Sequence, residues 1–377
     1  MAHHYGEQRI AQLGPERGDP PAPGRCVVAP GDPLADRDEI LRLAGNLPDS
    51  PGAARFAKYY DRSPYGPPFV FLAREPESGR AVGMAALLPA RLRIGGEPVP
   101  AAISADFSID PAYRGFGPAL ALQRATLKVL DEQRMRCAYG CPNRLSEPIV
   151  KRVGYEDAGE LTRFVKVLRT KLVVDLYVHR RGPARLLSTA ATVTADPVLR
   201  LVAREQRRGR DRNLSFETPG SFDDRFSDVW EATARRHAIT GERRADVLNW
   251  KYELDTGRPS DYAIFAAVDT GGRVAGYVVY RVKDRVRHIF DIASLGSQPV
   301  IDALLAGFLA DARRERATGV TFLCLGALGL LGRRLRSFGF LSRSEDKRLR
   351  VYVQDPPPGI DLLERDNWYF VMGDDDF

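Results

Sequence analysis

The sequence predicts an α/β protein in which one domain plan occurs twice. A half-polar strand, a short loop containing glycines and an apolar helix follow one another between residues 101 and 130. Features of this first half return in the second half at regular spacing. The chain has 377 residues, which is long for a single domain, so two domains are the better starting expectation.

The loop at residues 114–117 gives the clearest chemical signal. Apolar and polar residues alternate up to Ile109, which indicates a strand with one polar face. Arg114-Gly115-Phe116-Gly117 follows, and an apolar helical pattern starts directly after it. Glycines let backbone N–H groups approach a ligand, a helix N-terminus carries partial positive charge, and arginine is a forked donor. This combination suits a phosphate or pyrophosphate.

Other interpretations of this loop are less favoured. A nucleoside-triphosphate loop would continue with Gly-Lys-Ser/Thr, which is not found here. A dinucleotide-binding loop would follow a buried apolar strand, whereas this strand is half polar. An ordinary surface turn is the remaining alternative, and it would need no ligand.

The spacing Arg114-x-x-Gly117-x-Ala119 resembles the acetyl-CoA loop of the GCN5-related N-acetyltransferase (GNAT) superfamily. The order of predicted elements over roughly residues 25–170 is similar to that family. The resemblance implies two tandem domains, each with a mixed, mostly antiparallel sheet flanked by helices. It also implies acetyl-CoA as the co-substrate, no metal, and direct attack of an amine on the thioester in a ternary complex.

The resemblance also implies the residues that hold CoA. The Arg114 side chain and the backbone N–H groups of the following turn would bind the pyrophosphate, and backbone groups at residues 107–109 would bind the pantetheine arm and the thioester carbonyl. Pro118 departs from this pattern because it lacks an N–H group. Asn143 would contact the CoA arm, although helix capping is an alternative role. The full set is Phe107, Ser108, Ile109, Arg114, Gly115, Phe116, Gly117, Ala119 and Asn143.

Asp106 is the candidate general base. It lies on the polar face of the strand, between Ser104 and Ser108. The alternative is that its carboxylate anchors a backbone turn, because Asp291 holds the corresponding position in the second copy.

The usual general acid of the family is missing. A tyrosine often follows the asparagine by seven residues there, but this position is Val150. Tyr139 and Tyr155 are possible substitutes, although core packing is the favoured role for both. Cys141 would be a nucleophile only with a neighbouring base, and the sequence indicates none.

The repeat predicts a degenerate second copy. Residues 69–73 and 79–83 return as 262–266 and 272–276. Two later pairs, Asp106 with Asp291 and Gly154 with Gly339, share a second spacing, which predicts equal loop lengths. On that alignment Arg114–Gly117 becomes Pro299–Asp302, so only the first copy is expected to bind CoA. The predicted segments are a disordered leader (1–24), the catalytic domain (25–170), a helical connector (171–215) and the degenerate domain (216–377).

Composition limits the class of protein. A net charge of +7 and a pI near 9.3 suit an anionic ligand such as CoA. Nucleic acid is not expected, because basic residues are spread along the chain and no RNA-binding aromatic signature is found.

Four cysteines and five histidines form no disulfide or metal pattern. No apolar run is long enough to span a membrane. A membrane-surface role for the basic connector is less favoured than packing between domains. A cytoplasmic protein is therefore predicted.

The sequence as a whole predicts an N-acyltransferase that transfers an acetyl group from acetyl-CoA to a primary amine of a small molecule or amino sugar. Residues 248–252 and the C-terminal tail resemble tandem-domain bacterial acyltransferases. The tail ends in Asp374, Asp375 and Asp376, which either help to bind a cationic amine or form a solvated acidic terminus. The alternative functions are an aminoacyl-tRNA-dependent transferase and a non-catalytic CoA sensor. The sequence specifies neither the amine, the acyl-chain length nor the oligomeric state.

Overall fold

The computed structural model describes residues 26–45, 52–114, 116–169, 213–326 and 328–375. The predicted leader lies outside these residues, as does the predicted connector up to residue 212. The described residues form two compact units. The first unit contains the chain up to Glu160 together with Glu345–Arg365, and the second contains Leu161–Ser344 and Asp366–Asp375.

The first unit is a mostly antiparallel sheet flanked by helices. Strands β1 to β4 are antiparallel neighbours, and β5 runs parallel to β4. The elements in chain order are β1 (Val27–Gly31), α1 (Arg37–Ala44), α2 (Gly52–Phe56), a π-helical turn (Ala57–Asp61), β2 (Phe69–Arg74), β3 (Ala81–Ile94), β4 (Glu97–Ile109), a 3-10 turn (Pro111–Tyr113), α3 (Phe116–Glu132), β5 (Cys137–Gly140), α4 (Glu147–Arg152) and β6 (Glu156–Val167).

Local sequence explains the two elements that position the loop. Gly95 and Gly96 have φ angles of +61° and +91°, which allow the tight turn between β3 and β4. Helix α3 places Leu122 and Leu130 in the core, where both are fully buried. Leu122 packs with Val82, so one apolar face of α3 lies against the sheet.

The second unit follows the same plan. Strands β7, β9, β10 and β11 are antiparallel neighbours in that order, and β12 runs parallel to β11. The remaining elements of the chain, in order, are β7 (Leu214–Glu217), a 3-10 turn (Asp224–Phe226), α5 (Ser227–Arg236), β8 (Ile239–Gly241), α6 (Ala245–Lys251), β9 (Tyr262–Asp269), β10 (Val274–Lys283), β11 (Val286–Ser294), α7 (Gln298–Arg314), β12 (Gly319–Leu325), α8 (Gly329–Ser337), β13 (Leu341–Val353), a 3-10 turn (Arg365–Asn367), β14 (Trp368–Tyr369) and a 3-10 turn (Met372–Asp374). The predicted α/β class with mostly antiparallel sheets is confirmed.

Each unit contains a strand from the other half of the sequence. In the first unit, Arg350–Val353 of β13 pairs antiparallel with Cys137–Gly140 of β5. In the second unit, Leu161–Val167 of β6 pairs antiparallel with Gly319–Leu325 of β12. The domains predicted from the sequence assign each strand to the copy in which it occurs, so they did not include this exchange.

Candidate functional site

Strands β4 and β5 separate and leave an opening in the sheet of the first unit. They are paired only at Ala102 with Ala138 and at Ile103 with Tyr139. A Cβ atom at Gly140 would lie 3.1 Å from the carbonyl oxygen of Ser104, a tight contact, so glycine favours the close approach where the strands part. Beyond this point β4 continues to Ile109 without a β5 partner, so its backbone groups on that side are not used by β5.

A β-bulge lies in β4 along this opening. Ser108 is paired with Met84 and Ala105 with Ala86, so Asp106 and Phe107 together lie opposite Ala85. Asp106 has a φ of +51°, in the left-handed region that L-residues with a side chain rarely adopt. The bulge therefore redirects the backbone at residues 106 and 107.

The Asp106 side chain is buried and fully engaged. Its Oδ1 accepts a hydrogen bond of 2.6 Å from Nε of Arg55, and its Oδ2 accepts one of 2.8 Å from the hydroxyl of Tyr60. Burial, followed by the adjacent Asp106 carboxylate, raises the pKa of Tyr60 well above its usual range. Tyr60 therefore stays a donor at all ordinary pH values. This geometry favours the anchoring interpretation of Asp106, and its role as a general base stays a prediction.

The predicted CoA loop is open to solvent where the structure describes it. Arg114 is exposed, and it makes no ion pair within the described parts of the chain. A Cβ atom at Gly117 would meet no atom within 4 Å. Packing does not require glycine at position 117, and the backbone there has no positive φ. The close approach of a ligand would be a physical reason for a glycine at this position. Gly115 lies outside the described residues, and Phe116 begins α3.

Side-chain contacts fix the position of the chain at the N-terminal end of the loop. The hydroxyl of Tyr113 donates to the carboxylate of Glu75. Hydrogen bonds from Ser78 and Tyr113 lower the pKa of Glu75. Asp110 pairs with Arg80 and lies 3.5 Å from a guanidinium nitrogen of Arg42. The chain therefore enters the loop from a fixed position. At its far end Ala119 is buried in the first turns of α3.

Asn143 has the geometry of a helix cap. Its Oδ1 accepts hydrogen bonds from the backbone N–H groups of Leu145, at 2.9 Å, and Ser146, at 3.0 Å. The turn it closes leads directly into α4. The capping role is thus present, and contact with the CoA arm stays a prediction.

The alternative acid candidates lie in the core. Tyr139 and Tyr155 are both buried, and burial raises the pKa of Tyr155 above its usual range. Tyr155 packs against Tyr352, with 5.7 Å between ring centroids. Val150 is buried in the same cluster, and Cys141 is half-buried.

The corresponding loop of the second unit is shorter, so the prediction of equal loop lengths is wrong. Residues 110–115 connect β4 to α3, whereas only residues 295–297 connect β11 to α7. The sequence hid this difference because β12, with 7 residues, is longer than β5, with 4, and so restores the spacing. When the helix starts are aligned, Gly117 corresponds to Pro299, and Asp302 lies further along α7.

Arginine side chains occupy the equivalent region of the second unit. A Cβ atom at Gly296 would clash with the Arg236 guanidinium, which donates a 2.5 Å hydrogen bond to the carbonyl oxygen of Ser294. Asp302 is buried and accepts two hydrogen bonds from Arg334, Nε to Oδ1 at 2.5 Å and Nη2 to Oδ2 at 2.7 Å. A carboxylate near the start of α7 disfavours a second phosphate there.

The acidic tail is part of the second unit's core. Asp374 is buried and pairs with Arg243 at 2.6 Å and with Lys251 at 3.4 Å. Burial alone would raise the pKa of Asp374, but the positive charges of Arg243 and Lys251 have the larger, opposite effect. The pKa of Asp374 is therefore lowered. Arg243 also pairs with buried Asp291 at 3.0 Å. Since Asp375 is buried too, the solvated-terminus interpretation is wrong for both residues.

A sequence model for an acetyltransferase (GNAT) domain matches residues 39–158. These residues form a GNAT acetyltransferase domain. The match includes the β4 bulge, Arg55 and Tyr60, the exposed loop and Asn143. For these residues the predicted GNAT resemblance is confirmed.

Solved structures share the fold of this chain. A probable N-acyltransferase from Enterococcus faecalis V583 has a TM-score of 0.62 and 16% identity, covering 87% of this chain and 72% of that chain. A GCN5-related N-acetyltransferase from Anabaena variabilis has a TM-score of 0.60 and 16% identity, with coverages of 87% and 73%. N-myristoyltransferase of Saccharomyces cerevisiae, solved with myristoyl-CoA, has a TM-score of 0.54 and 12% identity, with coverages of 96% and 90%.

At these identities the solved structures show the fold, and together with the domain match they support acyl transfer. No curated protein matches the sequence. Among the described helices, none is long and apolar enough to cross a membrane. Within the same residues, no group of three or more His, Cys, Asp or Glu side chains could hold a metal ion.

Proposed function

We propose that this protein transfers an acetyl group from acetyl-CoA to a primary amine of a small molecule or amino sugar. The observation that carries the proposal is the exposed, unpaired Arg114 together with the open position at Gly117, at the start of the helix that follows β4. A cation and accessible backbone donors at a helix N-terminus suit the pyrophosphate of CoA.

The GNAT resemblance assigns the cofactor contacts. The pyrophosphate would be held by the Arg114 side chain and the backbone N–H groups of Gly115, Gly117 and Ala119. The pantetheine arm would enter the opening between β4 and β5, where residues 107–109 have no β5 partner. This arrangement uses the backbone groups that strand pairing leaves available.

The reaction requires few side chains. The amine nitrogen attacks the thioester carbonyl carbon, so that a C–N bond forms and the C–S bond breaks. The carbonyl oxygen gains negative charge, which backbone N–H groups of the bulge would stabilise. The amine proton passes to solvent, or to Asp106 if it acts as the predicted base. CoA leaves as a thiolate, and a thiol pKa of about 8.5 makes a general acid dispensable near pH 8.

Ligand-dependent stability tests the cofactor assignment. Acetyl-CoA at about 100 times its Kd should add roughly 2.7 kcal/mol to the free energy of unfolding. The same titration with the double variant Arg114→Ala/Gly117→Asp should give no shift. Equal shifts for both proteins, or none for the wild type, would overturn the proposal.

A second assay separates the enzyme from its alternatives. Release of free CoA thiol is followed during incubation with acetyl-CoA and a panel of small amines and amino sugars. Turnover with any amine supports the transferase. Binding of CoA without turnover favours the sensor. Turnover only with a charged tRNA donor favours the aminoacyl-tRNA-dependent transferase.

A further inference from the structure

We propose that Arg55, Asp106 and Tyr60 form a clamp that holds the β4 bulge in its ligand-binding shape, and that this clamp sets the rate of acyl transfer. The inference deepens the proposed function and rests on it. In this view Asp106 is a positioning residue, which acts through the backbone of Phe107 and Ser108.

The backbone at Asp106 needs to be held. An L-residue with a side chain in the left-handed conformation costs roughly 1–2 kcal/mol, and such strain persists only where the surroundings fix it. Asp106, with a φ of +51°, lies directly before the backbone groups that would contact the thioester. If its side chain were released, the bulge would lose its main restraint.

The clamp supplies that restraint from a different segment of the chain. Arg55 belongs to α2, and Tyr60 belongs to the π-helical turn that continues it. The Tyr60 ring stacks on Phe56, with 4.4 Å between centroids. The two donors therefore come from one continuous helical stretch, and each binds a different oxygen of the carboxylate. π-helical turns are rare and frequently occur at functional sites.

The same contacts argue against proton abstraction by Asp106. A general base needs an oxygen within reach of the amine proton. Here each oxygen accepts a short hydrogen bond, and the Asp106 side chain is 2% exposed. Its neighbour Arg55, at 13%, is also largely buried. Both carboxylate oxygens are therefore bound by donors within the protein, which suits a structural role.

The second unit provides an internal comparison. Asp291 is also buried and also pairs with an arginine, Arg243. Asp291 also lies beside a β-bulge, because Val279 pairs with Asp291 and Tyr280 with Ile289, which leaves Phe290 as the extra residue. Asp291 does not, however, have a positive φ. Both units thus contain a buried aspartate–arginine pair, but the left-handed backbone is found at Asp106, in the unit that has the open loop. The backbone strain is therefore associated with the site and is not a consequence of the ion pair.

Hydrogen exchange tests the clamp without any need for activity. We expect amide exchange at residues 107–109 to be at least tenfold faster in Tyr60→Phe than in the wild type, because one charge-assisted hydrogen bond is lost. Unchanged exchange at these amides would overturn the proposal, whether or not the protein binds acetyl-CoA. Failure of the wild type to bind acetyl-CoA would overturn the proposed function instead.

Kinetics then separate positioning from proton transfer. For the clamp, Tyr60→Phe and Asp106→Asn should each lower kcat about tenfold, with the double variant no worse than either single one. The KM for acetyl-CoA and the midpoint of the pH–kcat profile should not move. A loss of 10²–10⁴-fold in Asp106→Asn beside a nearly normal Tyr60→Phe would identify a general base and overturn the clamp.

Asp302→Asn is the matched control, because it weakens another buried aspartate–arginine pair in the second unit. It should reduce stability to a similar degree and leave kcat and exchange at residues 107–109 unchanged. If it lowered kcat as much as Asp106→Asn does, the effect would be one of general stability, and the clamp would be rejected.

Discussion

Arg334 donates two parallel hydrogen bonds to Asp302 near the start of helix α7, with distances of 2.5 and 2.7 Å. Among the described residues of the first unit no such pair is found at the start of α3, where Arg114 is exposed and Gly117 is open. The N-terminal ends of α3 and α7 therefore differ. Near the start of α7, an arginine and a carboxylate bind each other, whereas the arginine before α3 is available to an anionic ligand.

This difference predicts that Arg114→Ala weakens acetyl-CoA binding specifically. Loss of a charge-assisted hydrogen bond costs about 1.5–3 kcal/mol, which corresponds to roughly a tenfold to hundredfold higher Kd. The unfolding midpoint without ligand should not change, because Arg114 is exposed. Isothermal titration calorimetry measures the Kd. Arg334→Ala is the control, and it should reduce stability by about 1–3 kcal/mol without changing the Kd. Equal Kd values for Arg114→Ala and the wild type would contradict the prediction.

We also predict that Gly117→Asp abolishes acetyl-CoA binding in a normally folded protein. The open space at Gly117 accommodates a side chain, so the unfolding midpoint should stay within experimental error of the wild type. A carboxylate about 4 Å from a phosphate repels it by roughly 4 kcal/mol at an effective dielectric of about 20. Differential scanning fluorimetry with and without acetyl-CoA measures both effects. Gly117→Ala should give an intermediate loss, and an undiminished ligand shift in Gly117→Asp would refute the assignment.

Much of the fold could be predicted from local sequence patterns. Alternation up to Ile109 predicted β4, and the apolar helical pattern after the loop predicted α3. The clamp could not be predicted in this way, since Arg55 and Tyr60 reach Asp106 from another segment without any local pattern. The shorter loop before α7 was hidden by a longer β12. The exchange of β6 and β13 could not be predicted from the sequence either. The sequence of a strand does not specify whether it pairs with β5 or with β12, which hold similar positions in the two units.

The exchanged strand predicts a stability effect far from the loop. Val351 is fully buried and lies opposite Tyr139 in the antiparallel pair of β13 and β5. Val351→Pro removes a backbone donor from this interior strand and should cost about 3 kcal/mol or more. Val351→Ala keeps the donor and controls for the smaller side chain. Urea unfolding measures both, and equal losses would show that the backbone pairing contributes little.

The buried tail predicts that Asp374→Ala strongly destabilises the second unit. The substitution leaves Lys251 without this partner and Arg243 with one carboxylate fewer in the core, and breaking a buried pair costs about 3–5 kcal/mol. Asp228→Ala is the control, because it removes an exposed pair with Arg273 that is worth about 0–1 kcal/mol. Urea unfolding monitored by fluorescence measures the difference. If Asp374→Ala lost no more stability than Asp228→Ala, the tail would not be a structural element.

His237 predicts a loss of stability in mild acid. Burial, then Arg236 and Arg243, lowers the pKa of His237 from 6.5 to about 4, and its ring lies 4.7 Å from that of Tyr369. Since the unfolded chain binds the proton more tightly, the stabilising contribution is complete above pH 6.5 and is lost as the pH falls toward 4. Between pH 7.5 and 5 the expected loss is about 2 kcal/mol. His237→Gln should remove this part of the pH dependence in urea unfolding, whereas His288, whose pKa is also lowered to about 4 by burial, would still contribute its own. An unchanged pH dependence in His237→Gln would show that this histidine is not held neutral by its surroundings.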